Sequence, residues 1–467
     1  MTMTAPIASV IDDLRALLGD RVVTNDAVRG QHGHDESSFP DRLPDAVVFP
    51  VETAEVAQVV RICARHGVPI VPFGAGTSVE GHVLPTRGGV TVDLSRMDRV
   101  LEVHADDLDV RVQPGIRRVA LNEHLARYGL FFSVDPGADA SLGGMASTGA
   151  SGTTTVRYGT MRDNVLALEV VLANGEVVRT GTRARKSSAG YDLTHLFIGA
   201  EGTLGIITEL TLKVRGIPEQ IAAAVCVFPS MAAGVEAAIS IVQQGIPVAR
   251  CEFIDALTMT MINRHAGLDG PEAPTLFFEF HGSPAAVADQ AEAVRAIVDA
   301  YGAGEFQWAT TTEARNRLWR ARHQLYFAAI RSRPGSRAIA TDVCVPVSRL
   351  AECVDATAAD LEAFGFPVAI AGHVGDGNFH TVLLIDPDNP DDRARGREFT
   401  NRLTLRALEM GGTCTGEHGI GIGKREALER EAGPAAIALM RAIKQAFDPQ
   451  GLLNPDKVLI NGPLPEA

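Results

Sequence analysis

Two segments in the second half of the chain hold residue types suited to binding an ion and moving a proton. Gly372-His373-Val374-Gly375-Asp376-Gly377-Asn378-Phe379-His380 sets two imidazoles around a glycine turn, and Gly416-Glu417-His418-Gly419 adds a carboxylate and a third imidazole. If the chain reverses between His373 and His380, both rings converge on one ion. Glu417 then adds a carboxylate and leaves positions open for water or substrate. Satisfied structural histidines are the alternative, and spacing alone leaves both readings open. A helix over residues 311–330 brings Arg315, Arg317, Arg320 and Arg322. Arg322 shares a face with Trp319, Leu325 and Tyr326 and is expected to point inward, the others to face solvent or pair with acids.

These groups need a frame, and three glycine runs point to one. Residues 134–152 contain Gly137, Gly143, Gly144, Gly149 and Gly152 among Ala, Ser and Thr, with no Lys or Arg. Such a run is poor core material, but it lets backbone N–H groups approach a flat polar ligand and hold a pyrophosphate without a lysine. Pro72-Phe73-Gly74-Ala75-Gly76-Thr77-Ser78-Val79-Glu80-Gly81 follows a short apolar strand. Gly199-Ala200-Glu201-Gly202-Thr203-Leu204-Gly205-Ile206-Ile207 leads into an alternating strand over 206–214. None has the Gly-x-Gly-x-x-Gly spacing between strand and long helix, so a Rossmann site has little support.

In order and spacing the three runs resemble the flavin domain of the vanillyl-alcohol-oxidase, or PCMH-type, FAD family, over about the first half of the chain. The resemblance implies FAD contacts from Pro72, Gly74, Ala75, Gly76, Thr77, Ser78 and Gly81, and from Pro136, Gly137, Leu142, Gly143, Gly144, Ser147, Gly149 and Gly152. It adds Glu201, Gly202, Gly205, Ile206 and Ile207, with Asn454 in a tail returning to the flavin domain. Gly74-Ala75-Gly76 has no histidine where covalently linked relatives carry one, which implies noncovalent FAD; His82 lies farther along the loop.

The two histidine segments are similar to the C-terminal domain of FAD-linked D-2-hydroxy-acid dehydrogenases. That similarity implies a divalent metal, Zn2+ or Mn2+, on His373, His380 and Glu417, with His418 as catalytic base and Arg322 as the clamp on the substrate carboxylate. The ion would lower the hydroxyl pKa and let an imidazole remove the proton. Members taking a dicarboxylate carry a lysine just before the aspartate numbered Asp342 here, whereas this chain has Ala340-Thr341. A short monocarboxylate is therefore expected: D-lactate oxidised to pyruvate, with hydride passing to flavin N5 and electrons to an external cytochrome c or quinone. A glycolate-oxidising FAD subunit of a larger complex is the alternative in the same class. A zinc hydrolase built on the same three ligands is the alternative from another.

Bulk properties narrow the field. At 467 residues the chain is expected to form more than one domain. A net charge of −14 argues against a nucleic-acid partner. No apolar run reaches the length of a membrane span, and the start lacks a basic, apolar signal region. The expected location is the cytoplasm, with at most a peripheral place on the inner membrane; a homodimer is among the open assemblies. Six cysteines without a Cys-x-x-Cys suggest small buried hydrophobes, not an iron–sulfur cluster.

The expected fold class is α+β. A PCMH-type FAD-binding domain spans 1–218, and an α+β substrate and metal-binding cap domain with an antiparallel sheet spans 219–425, its helices on one sheet face. A helical segment over 426–467 returns to the FAD domain. His32, His34, Asp35 and Glu36 look superficially like metal ligands but lack a rigid spacing, and an ordered loop is expected there.

Overall fold

A computed structural model describes residues 5–460, apart from 268, 366, 367 and 387. The sequence predicts a strand over 367–371, whose first residue lies outside the described set. The chain divides into two compact units: one of Met1–Ser151, Thr160–Ile217 and Glu417–Ala467, the other of Gly152–Gly159 and Pro218–Gly416.

The first unit begins as the β-α-β pattern requires. Strands Ala46–Val48 and Ile70–Phe73 both lie parallel to Val90–Asp93, which sits between them. The helix Thr53–His66 connects the first two and buries Val56, Val59, Val60 and Cys63. Gly67 ends it in the left-handed conformation, which a residue without Cβ adopts at no steric cost. The residue type of Thr53 predicts a helix cap, but Thr53 is the first helical residue, and its hydroxyl donates to Glu169 at 2.8 Å. A second, antiparallel sheet has the order Val100–His104, Asp109–Val112, Ile206–Lys213, Val165–Val171, Val177–Arg179. Its last two strands form a hairpin across Asn174-Gly175, a dipeptide that favours a tight turn, with Val171 opposite Val177.

The glycine run over 134–152 is not loop throughout. Leu142–Thr148 is a helix that buries Leu142, Met145 and Ala146, closed by Gly149 at φ 69°. Three apolar residues at helical spacing suffice, because neighbouring strands supply the rest of that core.

The second unit is built on one antiparallel sheet. Its order is Gln307–Ala309, Gln220–Val227, Thr275–Gly282, Arg250–Ile254, Val368–Gly372, Asn378–Ile385, Arg337–Ala340. Helices cover both faces, not one as expected. Alternate strand residues such as Cys251, Phe253, Phe278 and Phe280 pack with helices Met231–Gln243, Pro284–Ala300, Leu350–Phe364 and Pro390–Glu409. Their neighbours, including Ile254, Phe277, Val382 and Leu384, pack with Ala256–Ala266 and Thr312–Ser332. These strands are apolar at both parities, so each face must be covered. The last long helix, Arg425–Phe447, is kinked at Gly433, just ahead of Pro434. No described helix is long and apolar enough to cross a membrane.

Candidate active site

The face of the second sheet that meets Thr312–Ser332 is apolar except where strand parity brings polar groups to it. Arg250–Ile254 sends Cys251 and Phe253 to one side and Glu252 to the other; Asn378–Ile385 sends Phe379 to the first and His380 to the second. His373 lies just past the end of Val368–Gly372, on the same parity as Ala369 and Ala371. The chain then reverses through Val374–Asp376 and Gly377, whose φ is 80° and where a Cβ would stand 2.2 Å from the Val345 carbonyl oxygen. The reversal leaves the rings of His373 and His380 edge to face, with centroids 5.4 Å apart.

Each ring is oriented through Nδ1. That of His373 donates to Glu252 Oε1 at 2.7 Å, and that of His380 donates to the Thr341 carbonyl at 3.2 Å. Carbonyl and carboxylate oxygens accept, so in this arrangement Nδ1 is the donor and Nε2 is the atom of each ring suited to a metal. The segment leading to Glu417 is held as well. Asp342 accepts from Asn378 Nδ2 and from Thr415 Oγ1, each at 2.7 Å, and Thr413 bridges to Cys344. Glu417 is peptide-bonded to Gly416, and ligand atoms of His373, His380 and Glu417 lie within 4.8 Å of one another. Ser151 Oγ donates to Glu417 Oε2 at 3.0 Å, while His418 Nε2 stands 4.0 Å from Glu417 Oε1, beyond a hydrogen bond. Two oriented imidazoles and a carboxylate suit a divalent ion such as Zn2+ or Mn2+. His32, by contrast, bonds Asp93 and the Val28 carbonyl, each at 2.8 Å, and belongs to no such group among the described residues.

Arg322 points inward, with its Nε donating to Glu252 Oε2 at 2.9 Å. One carboxylate, fully buried, thus orients both Arg322 and His373. Sequence reading missed Glu252; its signal was an acid inside the apolar strand Arg250–Ile254. With Nε engaged, the two Nη groups of Arg322 are the ones left to meet a carboxylate end-on. Arg317 and Arg320 are exposed.

In the first unit the three glycine runs converge. A Cβ on Gly74 would lie 2.2 Å from Ser141 Oγ, and one on Gly202 would lie 2.9 Å from Pro72. Gly199 N donates to the Ala146 carbonyl at 2.9 Å, and Glu201 N to that of Ser147 at 2.7 Å. Not every expected residue offers itself to a ligand. Leu142, Ile206 and Ile207 bury their side chains in the core, and Cβ atoms on Gly143 and Gly205 would strike Pro114 and Val170. The Glu201 carboxylate accepts from Ile420 N and Gly421 N, and Asn454 Nδ2 donates to the carbonyls of His82 and Glu201. Yet Ser141 Oγ and Asn454 Oδ1 are buried without a hydrogen-bond partner among the described residues. Backbone that excludes Cβ atoms, beside orphaned polar atoms, is what a dinucleotide cradle needs. All six cysteines are free, and burial pushes the Cys63 thiol up to about 12, which makes it inert.

A glycine cradle joined by a helix-covered antiparallel sheet defines the class: flavin-dependent oxidoreductases of the PCMH-type fold. Comparison with known proteins agrees. Residues 44–181 match the FAD binding domain model, and residues 217–458 match the model described as FAD linked oxidases, C-terminal domain. The chain belongs to this family of FAD-linked oxidases. It is 50% identical over 460 residues to the "Probable D-lactate dehydrogenase, mitochondrial" of Danio rerio, covering 98% of this chain and 93% of that one. It is 45% identical to the "D-lactate dehydrogenase [cytochrome], mitochondrial" of Arabidopsis thaliana, covering 96% and 80%. It is 35% identical to "Glycolate oxidase subunit GlcD" of Bacillus subtilis, covering 93% of each. A solved 4-ethylphenol oxidase from Gulosibacter chungangensis superposes with a TM-score of 0.81 at 20% identity, covering 98% of both chains, and so shares the fold.

The chain is therefore an enzyme that uses FAD, and the hydrolase alternative falls away. The cytoplasmic expectation is overturned too, because the first relatives are named mitochondrial. The absence of an apolar signal could not carry that inference, since organelle addresses need not be apolar. If the cradle holds FAD, Gly144→Val should give folded but largely colourless protein, since a side chain there enters the space beside Ser141 Oγ, 3.0 Å from the position of a Cβ. Full yellow colour after gel filtration would count against the site. Acid precipitation of the parent protein should release the flavin into the supernatant, as noncovalent attachment requires.

Proposed function

We propose that the chain oxidises D-lactate to pyruvate with bound FAD and a divalent metal, and passes the electrons to an external cytochrome c or quinone. The observation that carries this reading is Glu252, whose two oxygens orient Arg322 and His373 together. A carboxylate-binding fork and a metal ligand are thereby held at a fixed separation, as a 2-hydroxy acid requires. Two relatives named as D-lactate dehydrogenases support the substrate.

His373, His380 and Glu417 would hold the ion, and the cradle of the first unit would hold FAD. When bound, the ion polarises the substrate hydroxyl and FAD supplies the two-electron hydride acceptor. The remaining work falls to side chains. Arg322 forks the substrate carboxylate and so fixes which way C2 faces. His418, next to Glu417, takes the hydroxyl proton. Neither Ala340 nor Thr341 offers a cation, and Thr341 is buried with its hydroxyl 2.8 Å from that of Thr381. A second substrate carboxylate would be desolvated without a partner, which disfavours 2-hydroxyglutarate.

Anaerobic mixing with a panel of hydroxy acids tests the proposal. D-lactate should bleach the flavin fastest, L-lactate should be poor, and D-2-hydroxyglutarate should have the lower kcat/KM. A 2-hydroxyglutarate preference would refute the Ala340 argument. Glycolate is the second reading, favoured by the Bacillus relative. It predicts glycolate as the best reductant and co-purification with an iron–sulfur partner.

A further inference from the structure

Glu417 and His418 lie on a segment with little means of fixing itself. Gly419, Gly421 and Gly423 alternate through it, with φ of 80° at Gly419 and 50° at Gly421. Without side chains at these positions, backbone hydrogen bonds must hold the segment. Ile422 N donates to the Glu80 carbonyl at 2.8 Å and the Gly421 carbonyl accepts from Val458 N at 3.0 Å, and nearer to His418 the acceptor is Glu201, more than two hundred residues away in the third glycine run. Its Oε1 takes the Ile420 N–H at 2.7 Å, and its Oε2 takes the Gly421 N–H at 2.8 Å.

Glu201 is itself fixed at some cost. Its φ is 54°, in the left-handed region that a residue with a Cβ seldom adopts. Its own N–H and carbonyl are bonded to Ser147 and Asn454. His82 Nε2 stands 3.3 Å from Oε1, and both side chains are at most 4% exposed. Burial pushes the His82 pKa down, but Glu201, with Glu80 and Asp35 behind it, more than offsets this and raises it. Burial pushes Glu201 up, but His82 and the two N–H groups outweigh it and lower its pKa. Each side chain thus favours the charged form of the other. A Cβ on Gly419 would stand 2.7 Å from His82 Nε2 and 2.8 Å from Glu201 Oε1, so the pair abuts the backbone one residue past His418.

We propose that Glu201 and His82 are positioning residues for the reaction: the buried pair clamps residues 419–421 and so aims the ligand Glu417 and the base His418. The inference rests on the proposed roles of those two residues, and it moves Glu201 from touching the flavin to placing the chemistry.

The test compares Glu201→Gln and Glu201→Asp in FAD-loaded protein. Gln can accept only one of the two N–H bonds, whereas Asp keeps a carboxylate for both. Glu201→Gln should reduce the limiting rate of flavin reduction by D-lactate about 10²-fold, the usual cost of a misplacement near 1 Å. It should weaken Mn2+ affinity roughly tenfold, at the low end for an outer partner of a ligand. FAD content and the apparent Kd for D-lactate should not change, and Asp should recover most of both losses. In hydrogen exchange, residues 417–423 should lose protection in Glu201→Gln. His82→Gln, which spares both N–H bonds, should show the same two losses in smaller measure and serves if Glu201→Gln does not fold. Wild-type rate, metal affinity and exchange would overturn the proposal, as would loss of rate in proportion to loss of FAD. If wild-type protein is not reduced by D-lactate, the proposed function fails, while exchange and Mn2+ affinity still decide whether the clamp exists.

Discussion

His418→Ala protein is expected to keep its metal and its FAD while flavin reduction by D-lactate slows by roughly 10²–10⁴-fold, the usual worth of a positioned general base. That range corresponds to about 3–5 kcal/mol on the barrier. Retention of metal follows from placement. The group offering ligand atoms is His373, His380 and Glu417, and His418 Nε2 is 4.0 Å from the nearer Glu417 oxygen. Dithionite should still reduce the flavin at the wild-type rate, which separates a lost base from a damaged cofactor site. Stopped-flow reduction and metal content should be read on the same samples. Loss of metal would make His418 a ligand; near-normal reduction with metal retained would leave the proton without its assigned acceptor.

Glu252→Gln should be nearly as damaging, although Glu252 is assigned no contact with substrate. The carboxylate accepts from Arg322 Nε and from His373 Nδ1, and an amide oxygen can satisfy only one of them well. Losing the His373 bond frees that ring to turn, and a lost outer partner of a metal ligand typically weakens binding 10–100-fold. Losing the Arg322 bond lets the fork wander, so KM for D-lactate should rise as well. Arg322→Lys should raise KM alone and leave metal affinity intact. The two residues are each other's hydrogen-bond partners, so the effects of the two substitutions on KM should be strongly non-additive in a double-mutant cycle. Additive effects, or full metal affinity in Glu252→Gln, would show that the bridge does not organise the site.

Much of this protein is written locally. The glycine runs, the turn between His373 and His380, and the inward face of Arg322 are short-range patterns. Backbone freedom, strand alternation and the helical repeat act over a few residues, so these features are legible without the fold. The inert cysteines follow from composition in the same way.

Three features belonged to the tertiary structure. The helix Leu142–Thr148 reads as loop until neighbouring strands complete its core. Glu252 reads as one more acid, and its meaning comes from partners 70 and 121 residues away. Glu201 reads as part of a cofactor loop until Ile420 and Gly421, 219 and 220 residues on, bring their N–H groups to it. The physical reason is common to all three. A buried carboxylate or a short helix takes its role from whichever groups must satisfy it, and packing alone decides which groups those are.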